Sequence, residues 1–157
     1  GGGLHAHIGP HGRLNPHLDY ESHPKLGWTR KLNILVYLNE AWQDAWGGHL
    51  GLWEQSELGH GSLAVQVSPR FNRAIVFETP GSWHGLTGSI ACPQGQARQS
   101  MAVYYLTEDY LHARPKALFA PTPDQEGDAE VLSLIQRRAS VSTAQATYRA
   151  NIKPAHL

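Results

Sequence analysis

Alternation of apolar and polar residues runs through the first two thirds of the chain and gives way to a different pattern after residue 109. Residues 4–8 alternate, which puts His5 and His7 on one face of a short strand. GPHG at 9–12 reads as a turn, and 14–19 as a second strand carrying His17 and Asp19. Residues 21–29 hold Pro24 and Gly27 without a period and predict a loop. KLNILVYLN at 31–39 is β-branched and aromatic, and long enough for a central strand. Trp42 and Trp46 at i,i+4 predict one helical turn before the break at Gly47-Gly48. Further strands are predicted at 50–54, 63–67, 73–78, 83–86 and 100–107, with a turn at 55–62 and a loop at 88–96. About eight short strands at this spacing predict a sandwich or barrel.

Residues 113–124 carry three prolines and read as a connector. Val131, Leu132, Leu134 and Ile135 then recur among charges over 124–139, an amphipathic helix for which Thr122 or Asp124 is the expected cap. Residues 142–151 predict a second helix. The organisation expected is a β core over 1–112, with 113–157 a proline-containing connector and helical extension of the same domain.

Composition narrows the function classes. With 157 residues, 41% hydrophobic and 17% charged, the chain can bury a core as one domain. Lys+Arg and Asp+Glu both number 13, so no basic surface for nucleic acid is indicated. The single cysteine, Cys92, excludes an intrachain disulfide and fits a reducing compartment. No run of about 18 apolar residues is present, so no membrane span is expected. No signal peptide is visible, and a cytoplasmic location is the expectation. Ten histidines stand out, nine of them before residue 113.

Some of these histidines fall into a pattern with chemical meaning. In a strand, residues i and i+2 share a face, so His17 and Asp19 can grip one metal ion. His84, in PGSWHG directly after a strong strand and its turn, is the candidate third ligand; alone it reads first as a surface or rim-packing histidine. Two His and one carboxylate with open positions form the facial triad of non-haem Fe(II) oxygenases. Arg98 and Ser100 open the last strong strand on one face, where a guanidinium fork and a hydroxyl suit a carboxylate. Each signal is weak alone; their order along the chain gives them weight together.

The chain resembles the Fe(II)- and 2-oxoglutarate-dependent dioxygenases, in particular the prolyl 4-hydroxylase-like branch. The resemblance covers about residues 2–107 through HLDY, RKLNILVYLN, WGGHLGLW, PRFNRAIVFET, SWHG and RQSMAVYY. It implies a mainly β fold, a double-stranded β-helix or distorted jelly roll, with the C-terminal helices added. It implies His17, Asp19 and His84 as the catalytic iron ligands, with 2-oxoglutarate and O2 as cosubstrates. Arg98 matches the residue that pairs with the distal carboxylate of 2-oxoglutarate, helped by Ser100 and Tyr37. His7 stands where a relative has a 2-oxoglutarate-facing tyrosine. The expected reaction hydroxylates an unactivated C–H bond, with release of succinate and CO2. Asp19 fills the position that related halogenases leave to a small residue, so hydroxylation is expected over halogenation.

Family members usually carry helices before the first strand that brace the larger sheet. Here the C-terminal helices or a second copy of the chain are expected to cover that surface. The expected substrate is a prolyl or other amino-acid side chain, free or in a peptide, with a small natural product or sugar as the alternative. The loop after Asp19 nominates His23, Trp28 and Arg30 for substrate contact, and Trp83 adjoins His84. Trp42, Trp46 and Trp53 read as packing. A cupin, with His5-x-His7 as its first metal pair, is a rival reading, but it lacks the acidic ligand after His7 and leaves Arg98 unexplained. A non-catalytic jelly-roll binding module is the rival of a different class.

Overall fold

Strand alternation closes the chain into two facing antiparallel sheets. The computed structural model describes residues 2–23, 25–57, 59–108 and 117–140. The strands are β1 (Gly2–Ile8), β2 (His17–Leu18), β3 (Thr29–Tyr37), β4 (Leu50–Ser56), β5 (Gly59–Val67), β6 (Ala74–Glu78), β7 (Trp83–Leu86), β8 (Ala97–Thr107) and β9 (Leu118–Phe119), followed by helix α1 (Ala129–Ser140). One sheet has the order β1-β8-β3-β6 and the other β5-β4-β7-β2-β9. Neighbouring strands in space are mostly distant in sequence, as in a jelly roll. The mainly β expectation therefore holds.

Parity along β3 and β8 decides what faces inward. Asn33, Leu35 and Tyr37 are buried on β3, and Arg98, Ser100 and Ala102 on β8. The β1–β8 register sets His5 opposite Ser100 and His7 opposite Arg98, so both histidines share the inward face. Leu35, Leu50, Phe77 and Ala102 form the apolar contact between the sheets. Leu86, Ile90 and Cys92 form a second cluster with Leu14, Trp42 and Trp46, so these two tryptophans pack as expected. The outer face of the four-stranded sheet is also apolar. Leu4 is 77% exposed, Tyr105 58% and Val76 56%.

Several elements depart from the sequence reading. The strand expected over 14–19 shrinks to two residues, because Pro16 has no N–H for a ladder and Asp19 leaves it. The polar stretch expected as a long turn at 55–62 is mostly strand, since β4 and β5 form a tight hairpin. The connector contains β9, which adds to the edge of β2. Helix α1 starts later than expected. Its cap is Asp128, whose Oδ1 accepts the Glu130 and Val131 N–H groups; Thr122 and Gln125 instead form the capping box of the 3-10 turn Pro123–Gln125. Helix α1 packs on β9, not over the outer face of the four-stranded sheet, so it is not the cover expected there. The helix expected at 142–151 lies outside the described residues. Among the described residues, no helix is long and apolar enough to cross a membrane.

Candidate metal and cosubstrate site

The two sheets bring His17, Asp19 and His84 together at one end of the space between them. One ligand atom from each lies within 4.8 Å of the others. His17 on β2 pairs directly with His84 on β7, which aims both rings inward. The His17 Nε2 and His84 Nε2 atoms each stand 3.5 Å from a different Asp19 oxygen. The other nitrogens are already engaged: His17 Nδ1 lies 2.9 Å from the Asn15 carbonyl, and His84 Nδ1 2.9 Å from the Ser82 carbonyl. Those bonds fix the tautomer with Nδ1 protonated and leave both Nε2 lone pairs for a metal. Gly85 lets β7 approach this closely, since a Cβ there would sit 2.7 Å from the Asn15 carbonyl oxygen.

Electrostatics suit a divalent cation. Burial alone would raise the Asp19 carboxyl. The neighbouring His17 and His84 side chains and the Tyr104 hydrogen bond outweigh it and hold the group well below the carboxylate range. Tyr104 Oη donates to Asp19 Oδ2 at 2.6 Å, and Asn33 Nδ2 donates to the same oxygen at 3.2 Å. Burial, then the His17 charge, pushes His84 down to about 4, so it is neutral at physiological pH. The result is an ionised carboxylate facing two imidazoles, a donor set for Fe(II) and its first-row neighbours.

Arg98 closes the deep end of the same chamber. It is 2% exposed, and its Nε donates to the Gly48 carbonyl at 2.6 Å. Gly48 has φ +71°, and the Arg98 Cδ would lie 2.9 Å from a Cβ there, so the glycine makes room for the guanidinium. The Arg98 Cζ lies 4.9 Å from the centre of the Tyr37 ring. The buried Tyr37 hydroxyl and His7 Nδ1 have no hydrogen-bond partner among the described residues. Burial raises the Tyr37 phenol, against the pull of Arg98. Burial, with Arg98, His5 and His17 beside it, lowers His7 to about 4.

The chamber is lined by His7, His17, Asp19, His84, Arg98 and Ser100, among others. It opens into a cavity of about 590 Å³ walled by His5, Tyr20, Arg30 and Tyr104. Arg30 is the nominated substrate residue that reaches this mouth; its guanidinium lies 4.5 Å from the Tyr104 ring centre. The others do not. His23 Nδ1 accepts the Leu26 N–H within its own turn, and Trp28 does not line the cavity. Trp83 alternates to the opposite side of β7 from His84 and packs on His60, so adjacency to a ligand in sequence did not bring it to the site.

Asn33, Tyr104 and Phe119 escaped the sequence reading. Asn33 and Tyr104 share strand parity with residues already chosen, Tyr37 and Arg98, and that parity was the available signal. Phe119 had none, lying in a proline-rich stretch.

Residues 3–106, about two thirds of the chain, match the model of the 2OG-Fe(II) oxygenase superfamily. The chain belongs to that superfamily. Among solved structures, a Phytophthora capsici prolyl 4-hydroxylase is 23% identical, with a TM-score of 0.50, 87% of this chain covered and 41% of that one. A Trichoplax adhaerens prolyl hydroxylase, in complex with a hypoxia inducible factor peptide fragment, is 21% identical, with a TM-score of 0.50 and coverage of 67% and 42%. These likenesses carry the fold, and the chain spans less than half the length of either structure. No curated protein sequence matches.

The superfamily's iron and 2-oxoglutarate fit the residues present. The donor set is N,N,O with a single negative charge. Among the described residues no carboxylate lies within ion-pair distance of Arg98. A buried guanidinium in that state favours an incoming anion.

Proposed function

We propose that this oxygenase hydroxylates an unactivated C–H bond, consuming 2-oxoglutarate and O2 and releasing succinate and CO2. The observation that carries the proposal is the placement of His17, Asp19 and His84 in one buried chamber with Arg98. His17, Asp19 and His84 would hold Fe(II) as a two-histidine, one-carboxylate set, which leaves it open to cosubstrate and O2. Arg98 and Ser100 hold the distal carboxylate of 2-oxoglutarate, and Tyr37 sets the plane of the guanidinium. When bound, iron and 2-oxoglutarate supply the O2-dependent oxidising chemistry. The chain's own work is orientation and exclusion of water. Asn33 and Tyr104 keep the Asp19 carboxylate in one rotamer and ionised. Leu35, Leu50 and Leu86 give the chamber dry walls. His7 adds a side chain beside Arg98, where its free Nδ1 can meet the cosubstrate.

The mouth walled by Tyr20, Arg30 and Tyr104 admits the substrate. We place a prolyl or other amino-acid side chain first, free or in a peptide, and a small natural product or sugar second. The Trichoplax neighbour's peptide supports that order. The test is a mass-spectrometric screen of peptides, amino acids and small metabolites with Fe(II), 2-oxoglutarate and O2. A product heavier by one oxygen, formed with equimolar succinate, is expected. No succinate under any metal condition would favour a non-catalytic binding module instead.

A further inference from the structure

The C-terminal residues 117–140 lie beyond the stretch that matches the superfamily, yet they grip the metal-binding strand. Strand β9 pairs with β2 in the register His17↔Phe119 and Leu18↔Leu118. The Phe119 ring stacks on the His17 ring, with centres 4.8 Å apart and planes 15° apart. His84 covers the His17 ring as well, 4.3 Å away. The imidazole is therefore packed by a ring from the tail and by its fellow ligand.

The tail also holds the residues that lead into His17. The Ala120 N–H donates to the Pro16 carbonyl at 2.9 Å. Asn15 Nδ2 donates to the Ala120 carbonyl at 3.1 Å and to Gln125 Oε1 at 2.6 Å. The Asn15 carbonyl in turn accepts the His17 Nδ1 proton. One path thus runs from Gln125 through Asn15 to the imidazole tautomer, and a second from Phe119 to the plane of the ring. At the far end of the tail, Arg138 donates to the Tyr20 hydroxyl next to Asp19. Strand β2 has two residues and few ladder bonds of its own, so it needs outside support to hold a ligand within a few tenths of an ångström.

We infer that the C-terminal strap, β9 with the 3-10 turn and α1, is a working part of the metal centre, and that Phe119 is a positioning residue for the ligand His17. The inference rests on the proposed reading of His17, Asp19 and His84 as the ligands. A ring that packs a ligand's free face sets its aim and keeps water off its metal bond. Partners one step removed from a metal typically contribute about 10- to 100-fold in affinity.

The test uses the full chain loaded with Co(II), whose visible absorption reports coordination geometry. Affinity is measured by competition with a chelator. Phe119→Ala is expected to weaken Co(II) binding about tenfold and to change the visible spectrum. Phe119→Tyr, which keeps the ring, restores both. Gln125→Ala cuts the other path and weakens binding without touching Phe119. Thermal unfolding of the metal-free proteins runs alongside, and Phe119→Leu replaces Phe119→Ala if the latter fails to fold. A Phe119 variant that lowers the melting temperature but keeps wild-type affinity and spectrum overturns the inference, because Phe119 would then only pack. Wild-type chain that binds Co(II) no better than a His17→Ala variant overturns the reading of the ligands, and the inference with it.

Discussion

Replacing Arg98 with methionine separates binding from folding, because its two effects have opposite signs. Arg98 is 2% exposed and gives its Nε proton to one neutral carbonyl, that of Gly48, at 2.6 Å. Its Cζ lies 4.9 Å from the centre of the Tyr37 ring, and among the described residues no carboxylate pairs with it. A buried cation without a counter-charge costs several kcal/mol of desolvation. Arg98→Met keeps the length of the side chain and removes the charge, so the metal-free protein should be unchanged or more stable, by about 1–3 kcal/mol. Cosubstrate binding should move the other way. Truncating one partner of a buried, hydrogen-bonded charge pair costs about 2–5 kcal/mol. At about 1.4 kcal/mol per decade, that is roughly 30- to 4000-fold in Kd. We expect the lower half of that range, since the other end of 2-oxoglutarate keeps its hold. Arg98→Lys should fall between, keeping the charge but losing the fork. The assay is calorimetric titration of 2-oxoglutarate into Mn(II)-loaded protein, with urea unfolding of the metal-free form. Unchanged cosubstrate affinity in Arg98→Met would refute the assignment. A large loss of stability in the metal-free variant would refute the claim that this guanidinium is held in readiness for an anion.

Three further outcomes follow from the same geometry. Tyr104→Phe removes the 2.6 Å bond to Asp19 and should weaken metal binding by about 10- to 100-fold in a chelator competition; equal affinity would mean that Asn33 alone sets the carboxylate. His84 is held near 4 when folded and titrates near 6.5 when unfolded. The unfolded state therefore takes up the proton first as pH falls. The stability tied to a neutral His84 is full above about 6.5 and declines toward pH 4, by at most about 1.4 kcal/mol per pH unit. In metal-free protein, His84→Gln should flatten that part of the urea-unfolding profile between pH 7 and 4.5; parallel profiles would contradict the burial of a neutral imidazole. Leu50→Ala opens the contact between the sheets and should cost about 2–5 kcal/mol in urea unfolding, whereas a loss under 1 kcal/mol would mean that the space collapses.

The legible parts of the chain were those governed by local periodicity. Residues 83–86, bracketed by the turn at Pro80-Gly81 and by Gly88, form β7 with the bounds expected. The inward positions of β3 and β8 follow from parity, and parity brings Arg98, Ser100 and Tyr37 to one side. His17 and Asp19 converge although the strand that was to align them is only two residues long: Asp19 Oδ1 lies 3.5 Å from His17 Nε2. Features that depend on contacts across more than 80 residues were not legible. Tyr104 reaches Asp19 from the other sheet, and Phe119 reaches His17 from a tail whose prolines speak for a connector. Trp83 shows the converse: being next to a ligand in a strand places a side chain on the opposite face.

In the proposed reading, His17, Asp19 and His84 hold the iron that drives 2-oxoglutarate turnover. Succinate formation by wild type and Asp19→Ala, with and without Fe(II), tests it most directly. Fe(II)-dependent succinate is expected from wild type, at a rate above that of free iron, and background alone from Asp19→Ala. Equal succinate from both proteins would contradict it.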